Sequence, residues 1–67
     1  MSYRCIYCLE LYDASFELRV RRYFRNRKLL VRAWRSYVRR GFDDNYIGMR
    51  KLYKHEMAYV NPNDVEG

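Results

Sequence analysis

Residues 16–40 read FELRVRRYFRNRKLLVRAWRSYVRR, and the periodicity of this stretch decides the fold class. At about 100° per residue, Phe16, Val20, Tyr23, Phe24, Leu30, Val31, Trp34, Tyr37 and Val38 fall within an arc of roughly 140°. Arg21, Arg22, Arg25, Lys28, Arg32, Arg35, Arg39 and Arg40 fall on the opposite side. As a strand, only Phe16 to Arg21 alternates, and threonine is absent from the chain. The pattern predicts a helix over about 15–40, opened by Asp13 or Ser15 and closed by Gly41 in the C′ position. Arg39 and Arg40 suit the negative end of its dipole. Unbroken, such a helix would be about 37 Å long. A bend is expected at Asn26-Arg27, where a poor helix former precedes a cation inside the apolar arc; that cation is read as snorkelling.

Downstream, Tyr46, Met49, Tyr53, Met57 and Val60 recur at steps of three and four. They predict a second helix over about 44–60, capped by Asp43 or Asp44, weakened by Gly48 and ended by Asn61-Pro62. Residues 61–67 read as a frayed tail. Upstream, residues 3–12 fit a strand or hairpin arm, with Tyr3, Cys5, Tyr7, Leu9 and Leu11 on one side. They fit a short buried helix equally well. The expected fold is thus a single small, mainly α domain spanning residues 1–67.

The same central stretch dominates the charge. Ten of the fourteen cationic residues lie between Leu18 and Phe42, where there is no acidic residue. A solvated helix face normally mixes both signs; this one is uniformly positive. Spacings such as Arg21–Arg25, Arg32–Arg35 and Arg35–Arg39 make the cations repel one another. With a net charge of +6 on 67 residues, the chain calls for an anionic partner. Arg50, Lys51 and Lys54 extend the basic set. The rings along the central helix, Tyr23, Trp34 and Tyr37 among them, serve a core or a dimer interface. Tyr3, Tyr7 and Tyr59 are better placed to stack on unpaired bases.

Cys5 and Cys8 do not make a secreted disulfide framework. Tyr3-Arg4-Cys5-Ile6-Tyr7-Cys8, followed by Tyr12 and Leu18, resembles the first half of a C2H2 zinc finger. That family completes its zinc site with two histidines, but the corresponding positions here hold Arg21 and Arg25, which cannot ligate a metal. Two buried thiols, a zinc site shared between two copies, and a redox CxxC are the alternatives. No cofactor is otherwise expected.

Catalysis has no constellation to support it. His55 sits among Lys51 and Lys54, Asp43 and Asp44 are adjacent capping residues, and no phosphate-cradling glycine loop is present. The expectation is a non-enzymatic, intracellular, homodimeric nucleic-acid-binding protein that touches phosphates with little sequence preference. Its contacts would come from Arg21, Arg22, Arg25, Lys28, Arg32, Arg35, Arg39, Arg40, Arg50, Lys51 and Lys54. Two other readings use the same residues: an accessory or inhibitor protein, of viral type in composition, docked on an acidic protein surface, and a helix lying on a membrane surface.

Overall fold

In the computed structural model, which describes residues 5–67, Tyr7–Tyr12 forms a strand (β1) and Leu18–Phe24 a second (β2). Tyr3 lies outside the described residues. A 13-residue helix, Arg27–Arg39 (α1), follows, then strand Ile47–Lys51 (β3), a single helical turn at Lys54–Met57 (α2) and a two-residue strand, Val65–Glu66 (β4). The sheet order is β3-β1-β2-β4. β1 pairs antiparallel with β2 and β3, and β4 joins β2 in parallel. The domain is therefore mixed α/β, which overturns the mainly helical expectation.

The helix expected over about 15–40 is a hairpin turn and strand up to Phe24 and a helix only over Arg27–Arg39. Asp13 accepts hydrogen bonds from the backbone N–H groups of Ser15 (2.8 Å) and Glu17 (3.1 Å). This is the bonding of an N-cap, but here it builds a hairpin turn, with Phe16 in the left-handed region at φ 59°. Beyond the turn, Leu18-Arg19-Val20-Arg21 alternates as a strand should. Arg22, Tyr23 and Phe24 break the alternation because both sheet faces are covered at that end of β2. Phe24 enters the core beneath α1, and Tyr23 packs against the cluster on the other face.

The helix itself starts at Arg27. Asn26 is extended (φ −146°, ψ 164°), and its side chain accepts from the Leu29 N–H at 3.0 Å, so it is an N-cap rather than a bend. Gly41, at φ 95°, ends the helix as C′. The Gly41 N–H donates to the Val38 carbonyl and the Phe42 N–H to the Tyr37 carbonyl, the two bonds of a Schellman motif. The Phe42 ring closes it edge-on against Tyr37, with centroids 5.3 Å apart.

The second predicted helix, 44–60, is likewise replaced. β1 is buried on both faces, and its free backbone edge takes Ile47–Lys51 as a partner from Tyr7↔Lys51 to Leu11↔Ile47. Gly48 sits in this strand opposite Glu10, and a Cβ there would meet the Tyr12 ring at an ordinary contact distance of 3.6 Å. Asp43 caps only a 3-10 turn, Asp44–Tyr46. Residues 61–67 are not frayed. Asn61 and Pro62 open a 3-10 turn at Pro62–Asp64, after which Val65 is buried and Glu66 pairs with Phe24.

Two apolar clusters hold the sheet from opposite sides. Leu9, Leu11 and Phe24 meet Leu30, Ala33 and Tyr37 of α1. On the reverse face, Ile6, Cys8, Leu52 and Val65 form the second cluster, flanked by Tyr23, Met57 and Val60. Fully burying such a side chain is worth about 1.5–3 kcal/mol, so both faces matter in a chain this short.

Candidate nucleic-acid interface

The sheet fixes which side of α1 faces outward. Taking Lys28 as 0° at about 100° per residue, Arg35, Arg39 and Arg32 fall near −20°, 20° and 40°. The buried residues Ala33, Tyr37 and Leu30 fall near 140°, 180° and 200°. Four cations thus form a narrow crest diametrically opposite the sheet, about 17 Å long from Lys28 to Arg39. Arg27 and Arg40 stand lower on its two flanks, and Val31 and Ser36 fill the shoulders of the same open surface.

No carboxylate neutralises this ridge. Lys28, Arg32, Arg35 and Arg39 are exposed, and among the described residues none forms a salt bridge or side-chain hydrogen bond. The first turn carries no acidic residue. Arg27 and Lys28 therefore oppose the helix dipole, and like charges three and four apart add repulsion of about 0.2–0.5 kcal/mol per pair. Arg40 lies over the Tyr37 ring, 4.6 Å from its centroid, and covers core while keeping its charge outward.

The remaining predicted cations are not brought to the ridge. Arg21 projects from the opposite sheet face and bonds the buried Glu10 at 2.7 Å. Arg22 is held by Glu66 and Tyr37, and Arg50 by Glu56 at 2.7 Å. Hydrogen bonds to these carboxylates, opposed by partial burial, raise all three guanidinium pKa values. Arg25 follows β2, and its N–H donates to the Glu66 carbonyl. Lys51 ends β3 opposite Tyr7, and Lys54 begins α2; both are exposed. Arg27, read from sequence as snorkelling, belongs to the ridge instead. Recognising Asn26 as a cap would have revealed it.

The predicted apolar set divides similarly. Phe24, Leu30 and Tyr37 are buried, and Trp34 packs at the core edge with its Nε1–H donating to Asp44 at 2.6 Å. Tyr23 serves the second cluster. Val31 borders the ridge, while Phe16, Val20 and Val38 are exposed. The apolar arc of α1 thus meets the chain's own sheet.

Cys8 is 1% exposed, and burial pushes its thiol up to about 11, with Glu10 adding to the shift. Cys5 is half-buried. Among the described residues, no three of His, Cys, Asp and Glu cluster in a way that could hold a metal. A pocket of about 220 Å³ on the reverse face is lined by Cys8, Arg21, Arg50 and Glu56, with its cations already bonded to carboxylates. His55 is exposed and stacks on Tyr53, with centroids 5.9 Å apart. Tyr59 is 91% exposed, well separated in sequence from α1. Among the described residues, no helix is long and apolar enough to cross a membrane. No protein-family model matches the chain, and neither the curated proteins nor the solved structures include a match.

Proposed function

We propose that this protein is a non-catalytic nucleic-acid-binding module that engages phosphates through the outer face of α1. The observation that carries this reading is the unneutralised ridge of Lys28, Arg32, Arg35 and Arg39, flanked by Arg27 and Arg40. Elsewhere on the sheet the chain pairs its arginines with its own carboxylates: Arg19 with Asp13, Arg21 with Glu10, Arg22 with Glu66 and Arg50 with Glu56. On α1 it does not, although the repulsion costs the helix stability. A polyanion removes that cost on binding and releases its own counterions. Guanidinium also supplies the flat donor fork that phosphate oxygens accept. Because the apolar side of α1 covers the sheet, one chain suffices as the binding unit.

The test compares two variants with equal loss of charge. Arg32→Gln/Arg35→Gln alters the ridge, and Arg19→Gln/Lys54→Gln removes two cations elsewhere. Anisotropy titrations of labelled nucleic acid should show at least tenfold weakening for the first and less than threefold for the second. Equal losses would make binding a matter of net charge alone. Binding to an acidic protein without any to nucleic acid would replace the proposal with the docking alternative.

A further inference from the structure

Three properties of the ridge narrow the class of nucleic acid, granted the phosphate-binding reading on which this inference rests. First, the helix that carries it is convex toward solvent, its long side chains enclosing only an open depression of about 800 Å³. The crest stands directly opposite the side that packs on the sheet, so its partner must be concave. An α-helix with side chains is about 10–12 Å across, and the B-form major groove is about 12 Å wide. The A-form major groove is deep and too narrow for side chains to read.

Second, among the described residues no ring lines the crest itself. The surface is lined by Arg27, Lys28, Val31, Arg32, Arg35, Ser36, Arg39 and Arg40. The aromatic residues of α1 are turned away: Tyr37 is buried, and Trp34 is half-buried and bonded to Asp44. Single-strand binders set stacking rings among their cations. Of the exposed rings, Tyr53, Tyr59 and Phe16 lie on other elements, and Phe42, just past the end of α1, is engaged edge-on by Tyr37 and lies 5.9 Å from the Arg40 guanidinium.

Third, the cations occupy three angular positions. Arg27 sits about 110° to one side of the crest centre and Arg40 about 110° to the other. A helix lying in a groove has a wall on each side and base edges beneath it. We infer that α1 enters the major groove of B-form duplex DNA, its cations meeting the phosphates of both groove walls and the crest arginines also reaching guanine edges on the groove floor. Guanine presents O6 and N7 there as a pair of acceptors matched to arginine. Cations alone accept any guanine, so the preference is for G·C content rather than for a defined site.

The experiment measures affinity for equal-length G·C-rich B-form duplex DNA, double-stranded RNA and single-stranded DNA at one salt concentration. A fourth arm uses the DNA duplex with every guanine replaced by 7-deazaguanine, which keeps the base pair and removes N7. The inference expects the natural DNA duplex to bind at least tenfold tighter than either alternative, and 7-deazaguanine to weaken it fivefold or more. Tyr53→Ala/Tyr59→Ala should leave duplex binding unchanged. Equal or tighter binding to RNA or to the single strand would overturn groove docking while leaving phosphate binding standing, as would indifference to 7-deazaguanine or a loss on removing the two rings. No binding in any arm would overturn both.

Discussion

Arg22 on β2 and Glu66 on β4 lie 44 residues apart and share two hydrogen bonds, Nε to Oε2 at 2.7 Å and Nη2 to Oε1 at 2.5 Å. The same guanidinium donates to the Tyr37 hydroxyl at 2.9 Å and lies 5.1 Å from the Phe24 ring centroid. One side chain thus ties β2 to β4 and to α1. An arginine that composition assigns to a phosphate is a bolt in the fold.

That role separates the two partners energetically. Glu66→Gln should cost less than about 1 kcal/mol, because the carboxylate is 41% exposed and solvent screens the pair. Arg22→Ala should cost more, about 1–3 kcal/mol, since it also removes stacking on Phe24 and the bond to Tyr37. Urea unfolding of both single variants and the double variant measures this, and a coupling above about 2 kcal/mol would contradict the screened pair.

The sheet core sets the second expectation. Leu9 is 0% exposed at the centre of the cluster beneath α1. Leu9→Ala should cost about 2–5 kcal/mol. A 67-residue domain has roughly 3–10 kcal/mol in total. Circular dichroism should therefore show a large drop in the melting temperature of this variant, whereas Val38→Ala on the exposed side of α1 should melt within a few degrees of the parent.

The thiols should react unequally. Cys8 is enclosed and its pKa is raised to about 11, so it holds little thiolate at pH 7.5. Maleimide should label one thiol per native chain promptly, mapped to Cys5 by mass spectrometry, and the second only in denaturant. Prompt labelling of Cys8 would contradict its place in the second cluster.

Acid should weaken the fold through a defined set of carboxylates. Glu56 is lowered to about 2, first by its hydrogen bond from Arg50 and next by the Tyr53 N–H. Asp13 is lowered chiefly by the Glu17 N–H and Glu66 chiefly by Arg22. For each, the folded pKa lies below the unfolded one. Their stabilisation is therefore complete above the ordinary carboxylate range and is lost as pH falls from about 4.5 toward 2. Denaturant midpoints across that window should fall less steeply in Glu56→Gln than in the parent; an identical slope would remove Glu56 from the account.

What the sequence disclosed depended on whether the determining contacts were local. The ridge was legible because residues 27–40 have a true helical period, and Gly41 marks the helix end without reference to the rest of the chain. Asn26 carried an equally local signal, that of a cap. Residues 16–24 misled because their helical arc mixes side chains that serve two different sheet faces, Phe24 on one and Tyr23 on the other. Asp13 misled because one carboxylate geometry serves both a helix cap and a hairpin turn. The three-and-four spacing over 46–60 had no continuous buried face behind it: Met49 and Tyr53 are exposed. Most remote were the pairings of Arg21 with Glu10 and Arg22 with Glu66, which exist only once the register is set. Charge could be counted from the sequence, but its neutralisation required the fold.

The central claim is that six cations of α1 meet phosphates, and the slope of log affinity against log salt measures it most directly. On a short B-form duplex, Arg27, Lys28, Arg32, Arg35, Arg39 and Arg40 together should give a slope of about −5.4, falling to about −3.6 in Arg32→Gln/Arg35→Gln. A slope near zero, or one unchanged by removing those two guanidinium groups, would contradict the account.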